Sequence, residues 1–550
     1  MSTLVSRLIL LTLLTVAPAM AQRLYRRPLV GAVTDRSATV QAWLDAAGSL
    51  TLEYGTDPSL DGARSVGPLA ASAAEDFVVR FTLEGLEPST RYYYRVGGAL
   101  QSFTTMPAIG TDAPMEILFG SCQQRNSTDS GVVFRAANDG DDLFIQLGDW
   151  TYPDRRITDF PTAAGSIRES YAQRYDTTYP FARTVLSRMG AAYVWDDHDY
   201  WKNNADGSLA ADLKDSVITG YRRYFPHYPL PNPNGIWQSF RAGNVEFFLI
   251  DSRSQRNPIE NAFPNNRFEP PAGHSMLAGY PISGTDQRTW LADAIRRSTA
   301  RWQVLVTPVF FNPGAQQIIA LADLIGRSDV SREVADKWVG YPADVDTMRT
   351  LLREGYGRNM LIISGDAHVN VYDDGTRSLR PEFMVGNLDI TTADLFALLS
   401  QYNITLWSAM QSGLNNTIGR LRVETTPVHR LVVESYDEEG AVELRYEMAD
   451  STGGSGVRGL PEAASMGVWT GIEDRTLRVR LARAPAAPVR IELFDVSGRT
   501  VLGGVGARVP SSQGGDMVEI DLPHSIVAGT YLGRITVGDD VMSFRVVVGE

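Results

Sequence analysis

Three patterns of apolar and polar positions follow one another along the chain. From about Tyr25 to Met106, apolar and polar residues alternate in short runs broken by turn residues. Examples are Thr39-Val40-Gln41-Ala42-Trp43-Leu44, Ser49-Leu50-Thr51-Leu52-Glu53-Tyr54-Gly55 and Phe77-Val78-Val79-Arg80-Phe81. A period of two without helical period predicts a small β-sandwich over residues 22–108. From about Ala113 to Asp450 the apolar runs are solid: Ile117-Leu118-Phe119, Leu143-Phe144-Ile145-Gln146-Leu147, Ala192-Tyr193-Val194-Trp195, Val245 to Ile250, Val304-Leu305-Val306 and Met360 to Ile363. Solid runs suit strands covered on both faces. Helical signals separate them. Ser166 with Glu169 reads as a capping box. Trp290, Leu291, Ala294 and Ile295 share one helical face; Val345, Met348, Leu351 and Leu352 share another, closed by Gly355. This alternation predicts an α/β layered core over residues 113–450. A Gly/Ser-rich linker over 451–466 then leads into short strands again over 467–550, among them Val489 to Phe494 and Phe544 to Val548.

The residues that end five of these six runs carry the candidate chemistry. They are Ser121-Cys122, Gly148-Asp149, Asp196-Asp197-His198, Asp251-Ser252-Arg253 and Gly365-Asp366-Ala367-His368. In open α/β sheets the carboxyl ends of the strands converge on one crevice, so these residues are expected to meet in space. Together they offer carboxylates (Asp149, Asp366), imidazoles (His198, His368), amides (Asn203, Asn204), a phenol (Tyr152) and a thiol (Cys122). Hard oxygen donors suit Ca²⁺, Mg²⁺ or Fe(III), while thiolate and phenolate favour a transition metal.

Composition narrows the partners. The 550-residue chain, with 43% hydrophobic and 21% charged residues, is globular and long enough for several domains. Its net charge of −13 argues against a nucleic-acid or anionic-membrane surface. An anionic substrate would need local positive charge from arginine or metal. Arg7, the apolar stretch Leu8 to Val16 and Ala19-Met20-Ala21 read as a secretory signal over 1–21, cut before Gln22. Exported chains usually pair their cysteines, yet Cys122 is the only one. It is an inert buried thiol, a handle for another chain, or a ligand or nucleophile.

Gly148-Asp149-Trp150-Thr151-Tyr152 resembles the Gly-Asp-x-x-Tyr of purple-acid-phosphatase-like metallophosphoesterases. Trp195 to Tyr200 with Asn203-Asn204, and Gly365-Asp366-Ala367-His368, resemble the PhoD-like alkaline phosphatase branch, as do Phe119 to Gln123, Leu249 to Arg253, Gln287 with Trp290-Leu291, and Trp338 to Pro342. This resemblance implies an αββα sandwich with a metal centre of two or more ions. Cys122, Asp149, Tyr152 and His368 would hold Fe(III). Asp149 would bridge to a second ion, Ca²⁺ or else Mg²⁺, Mn²⁺ or Zn²⁺, held by Asp366 and Asn203. His198 and Asp197 would stand on the leaving-group side, with Arg253 gripping phosphate and Asn204 binding substrate. Asp196 and Asp197 have a structural reading too, as caps of the helix that follows.

The N-terminal β unit resembles a fibronectin type III-like domain through Leu83 to Tyr94 and Phe103-Thr104-Thr105. The C-terminal unit resembles a type A sorting domain of the type IX secretion system through Leu493 to Arg499 and Ala528-Gly529-Thr530-Tyr531. The latter implies passage through the periplasm to a secreted or cell-surface location, with the secretion machinery as a partner. The expected function is hydrolysis of small phosphate monoesters by a monomer. The alternatives are a phosphodiesterase or phospholipase D-like hydrolase of the same fold, and a surface-binding protein without activity. Retention of every ligand type argues against the last.

Overall fold

The computed structural model describes residues 23–124, 142–152, 162–279, 287–390 and 404–450, with short gaps at 412–415, 427 and 438–439. Within 469–548 it describes chiefly strand backbone. The expected signal (1–21) and linker (451–466) lie outside the described residues.

Seven strands come first: β1 (Leu24–Gly31), β2 (Ser37–Leu44), β3 (Gly48–Gly55), β4 (Arg64–Ala71), β5 (Val78–Glu84), β6 (Arg91–Val96) and β7 (Gln101–Thr104). The solid runs then give β8 (Met115–Gly120), β9 (Leu143–Gln146), β10 (Gly190–Tyr193), β11 (Gln238–Ala242), β12 (Val245–Leu249), β13 (Trp302–Val306) and β14 (Met360–Ser364). They are followed by β15 (Asn370–Asp373), β16 (Glu382–Val385), β17 (Ala409–Gln411), β18 (Ile418–Glu424), β19 (Arg430–Tyr436) and β20 (Val442–Ala449).

Two large sheets hold the centre. One has nine strands in the order β20-β19-β18-β8-β9-β10-β1-β2-β5, the other seven in the order β11-β12-β13-β14-β16-β15-β17. Strands β8, β9 and β10 run parallel, as do β12, β13, β14 and β16. Side chains alternate along each run and both faces are apolar. Ile117, Phe119, Ile145, Phe247, Leu249, Val304 and Ile363 fill the space between the sheets. Leu118 and Phe144 point the other way, onto Tyr171, Phe181 and Tyr221 of the helices over the first sheet. Phe248, Leu305 and Ile362 do the same against Leu291, Ile295, Met348 and Leu351 over the second. Period-two alternation with both faces buried is why these runs read as solid. The result is the expected αββα layering.

Two local expectations change. The boundary near residue 108 is not a break in hydrogen bonding: β1 pairs in parallel with β10 through Gly31 and Ala191, so β1, β2 and β5 extend the catalytic sheet. The other four strands form a separate sheet in the order β4-β3-β6-β7. The helix expected to be capped at Ser166 begins earlier, at Ala163–Arg174, where the Thr162 hydroxyl accepts from the Gly165 N–H at 3.1 Å. Thr162 satisfies the orphan amide, and Ser166 lies inside the first turns, buried. The helices Gln287–Arg297 and Pro342–Arg353 bury the expected faces. At the C-terminus the backbone forms two four-stranded antiparallel sheets.

Candidate metal centre

The carboxyl ends of β8, β9 and β14 deliver Cys122, Asp149 and Asp366 to one crevice. The loops after β8 and β9 stay laddered beyond the strands: the Cys122 N–H donates to Gly148 O at 3.2 Å and the Gln123 N–H to Asp149 O at 2.9 Å. Glycines allow the close approach. A Cβ on Gly148, whose φ is 103°, would lie 2.6 Å from Asp196 Cβ. One on Gly365 would lie 2.2 Å from Ser121 Oγ. The Asp366 N–H donates to that same hydroxyl at 3.1 Å, tying the ends of β14 and β8 together.

Cys122, Asp149, Tyr152, Asp366 and His368 all have positive φ, at 59°, 55°, 46°, 69° and 52°. Non-glycine residues rarely adopt the left-handed region, and such strain gathers where surrounding structure enforces a functional geometry. Three sets of ligand atoms lie within 4.8 Å of one another: Cys122, Asp149 and His368; Asp149, Asp197 and His198; and Asp149, Asp196, Asp197 and Asp366. Asp149 belongs to all three. Tyr152 joins the first through its hydroxyl, 3.0 Å from His368 Nε2, and its ring packs on His198 at 4.5 Å between centroids.

The acids crowd one another. Burial first, then Asp197 and Asp196, push the Asp149 carboxyl well above the usual range. Burial, then Asp149 and Asp366, push up the Cys122 thiol. The Tyr152 phenol rises through burial and Asp149, whereas burial lowers His368. Carboxylates, a thiol and a phenol this close cannot all ionise as protein groups alone. Among the described residues, buried Asp149 Oδ1 has no hydrogen-bond partner. A cation removes both problems, so the residues fit a metal. Sulfur, phenol, imidazole and carboxylate in one set suit a transition metal, and the all-carboxylate set suits a hard divalent ion.

Asp196 sits at the start of the short helix Asp197–Tyr200, its N–H donating to Asp199 Oδ2 at 3.2 Å. It is also a salt-bridge partner of Arg253 Nε, so both readings of Asp196 meet in one residue. Asp197 accepts from the Asn204 N–H at 2.6 Å. Burial opposes its ionisation, yet Arg253 and then His198 hold its carboxyl low. Asn203 is exposed and Asn204 half-buried at φ 55°, so the backbone of Asn204 joins the site. Behind the cluster, Arg174 reaches Asp199 at 2.7 Å and Asp199 Oδ1 accepts from the Trp150 N–H at 2.8 Å, fixing the β9 loop from the flanking helix.

Arg253, expected to grip phosphate, is buried among carboxylates. Its side chain is 0% exposed and committed to carboxylates: Asp196 at Nε, Asp336 at 2.9 Å, Asp197 at 3.7 Å and Asp366 at 4.0 Å. Its Nε and Nη1 donate to Asp196 and Asp336, while Nη2 has no hydrogen-bond partner among the described residues and lies nearest Asp197 and Asp366. Sequence reasoning missed two residues. Asp336 bridges Arg253 and Arg256, the latter at 2.6 Å. Lys337 places its ammonium on Asp366 Oδ2 and 3.5 Å from Asp336. Although burial opposes it, Asp366 and Asp336 hold that ammonium charged. Their one sequence signal was position, immediately before the Trp338 to Pro342 motif.

Alkaline phosphatase D of Bacillus subtilis is 27% identical over 323 residues, 53% of this chain and 53% of that enzyme. Purple acid phosphatase 23 of Arabidopsis thaliana is 28% identical over 193 residues, 30% of this chain and 39% of the plant protein. The chain thus spans about half or less of the length of these curated relatives. A solved structure of PhoD superposes with a TM-score of 0.58 at 20% identity, over 79% of this chain and 94% of that one, which is a likeness of fold. The PhoD-like phosphatase family matches residues 117–402, more than half of the chain, which contain all of the metal-ligand candidates: the chain belongs to the PhoD-like phosphatase family.

Proposed function

We propose that this chain is a metal-dependent phosphoesterase that hydrolyses phosphate monoesters. The observation that carries the reading is the donor sets sharing Asp149 at the carboxyl ends of parallel strands in the two sheets. Cys122, Asp149, Tyr152 and His368 would hold Fe(III). Asp149 and Asp366 would hold Ca²⁺ or another divalent ion, with Asn203 or Asn204 completing that set. Two cations held by these residues would neutralise phosphoryl oxygens and supply hydroxide at neutral pH.

The protein groups supply the rest. His198, beside Tyr152 and Asp197, would give a proton to the leaving alkoxide. Asp197, in ion pairing with Arg253, keeps the helix Asp197–Tyr200 and therefore His198 in position. Asn204 offers its side-chain amide to a non-bridging phosphoryl oxygen. The sequence signals for export and for a C-terminal sorting domain place this activity at the cell surface or outside the cell. Among the described residues no helix is long and apolar enough to cross a membrane.

The test is metal analysis of the purified mature protein together with hydrolysis of an aryl phosphate and an aryl phosphodiester. Bound iron with preferential monoester turnover is expected. Preferential diester turnover would move the assignment to a phosphodiesterase. Absence of iron together with absence of hydrolysis would leave a binding protein built on the same fold.

A further inference from the structure

Lys337 has no part in the chemistry assigned so far, yet its placement is built with care. It follows the helix Ser328–Ala335 and precedes Trp338, which is 0% exposed. The Trp338 indole N–H donates to Thr307 Oγ1 at 2.9 Å, anchoring the segment behind the end of β13. Gly340 packs so closely on the helix end that a Cβ would lie 1.7 Å from Ala335 O. Held from both sides, the Lys337 side chain is 4% exposed and ends on Asp366 Oδ2. Its other charged neighbours are Asp336 at 3.5 Å and Glu333 at 3.8 Å.

Asp366 is also the carboxylate assigned to the divalent ion. Of the four carboxylates in the set Asp149, Asp196, Asp197 and Asp366, Arg253 occupies Asp196 and Lys337 occupies Asp366. The remaining oxygen, Asp366 Oδ1, is 4.0 Å from Arg253 Nη2, so neither oxygen of Asp366 is remote from a positive charge.

We propose that Lys337 is a positioning residue that acts as the resident counter-ion of the second metal subsite and competes with the divalent ion for Asp366. The idea rests on the phosphoesterase reading above. Divalent binding then requires the ammonium to leave Asp366, which a flexible four-carbon stem permits. Lys337 forms its ion pairs with Asp366, Asp336 and Glu333 rather than with Cys122, Tyr152 or His368, so its removal should act first on the divalent ion. Divalent occupancy thereby becomes responsive to ambient concentration, while iron stays bound.

The experiment titrates calcium chloride into the iron-loaded mature protein by calorimetry. Wild type is compared with Lys337→Met, which keeps length and removes charge, and Lys337→Arg, which keeps charge. Iron content and circular dichroism are measured alongside. Calcium should bind Lys337→Met on the order of tenfold more tightly than wild type, with iron unchanged, and Lys337→Arg should stay near wild type. Unchanged or weaker calcium binding in Lys337→Met overturns the proposal, as does equal tightening in both variants. If Lys337→Met loses its fold, Lys337→Gln takes its place under the same criteria. Wild type that binds calcium and turns over substrate, with variants that bind alike, removes the role of Lys337 only. Wild type that binds no divalent ion and hydrolyses nothing removes the phosphoesterase reading as well.

Discussion

The two donor groups that meet at Asp149 are built on opposite electrostatic plans. On one side stand Cys122, Tyr152 and His368, where burial pushes the thiol and the phenol toward their neutral forms. On the other side Asp196, Asp197 and Asp366 are threaded by Arg253 and Lys337. The first group is incomplete without a strongly charged metal. The second is partly balanced by the protein itself. The contrast predicts a tightly held ion beside an exchangeable one, and mutations should separate them.

The widest effect belongs to the residue common to both. Asp149→Ala should lower kcat by about a thousandfold or more, on the scale of removing a central electrostatic group. It should also reduce both metals together, read by elemental analysis and aryl phosphate turnover. If Asp149→Ala keeps its iron and most of its activity, the two groups do not share a bridging carboxylate.

Next comes Cys122→Ser, which exchanges a soft donor for a weak hard one. Iron content should fall about 10-fold or more while calcium binding persists. An equal fall in both would mean the sides are not independent. Visible absorption offers a sharper view: Tyr152→Phe should bleach a phenolate-to-iron band without changing the calcium isotherm.

On the carboxylate side, Arg253→Met should destabilise the fold by about 3–5 kcal/mol, because it leaves Asp196 buried without its cation and takes one partner from Asp336. Denaturant unfolding measures it. A variant of wild-type stability with a raised KM alone would restore Arg253 to the phosphate-gripping role expected from sequence.

The smallest effect lies one strand from the cluster. Glu382 on β16 is buried and accepts from the N–H groups of Phe311 and Asn312 at 2.7 and 2.9 Å and from the Ser364 hydroxyl at 2.8 Å. Burial, the largest influence, raises its carboxyl to about 7 despite those donors. A raised carboxyl favours the folded state below its unfolded value, near 4.5, and that contribution is lost as pH rises through 7. Stability should therefore decline between about pH 5 and pH 7.5, by roughly 3 kcal/mol at most. Glu382→Gln should flatten that slope while lowering stability at both ends, since its amide cannot accept from both backbone N–H groups. A wild-type midpoint in urea that stays level across this range would disprove the sign.

What was legible in the sequence follows the range of the forces involved. Solid runs gave away the strands because covering both faces imposes a local composition. The residues after them gave away the cluster because parallel strands must bring their carboxyl ends together. Lys337 and Asp336 were not legible. At the end of a helix they read as solvated charges, and only the anchoring of Trp338 on Thr307 turns them inward. Arg253 was visible as a strand-end residue, but its burial among carboxylates depends on Asp336, far along the chain. The pairing of β1 with β10 was equally hidden, because alternation marks a strand without naming its neighbour.

That pairing bears on how the protein can be handled. The N-terminal β unit looks separable by sequence, and a truncation starting near residue 113 would seem a natural way to isolate the catalytic part. Such a cut would uncover the backbone of Gly190–Tyr193, an apolar strand with every residue buried, as a raw sheet edge. Edges of this kind recruit strands from other molecules. A shortened protein should precipitate or self-associate, and the first β unit is better regarded as the catalytic sheet's own hem.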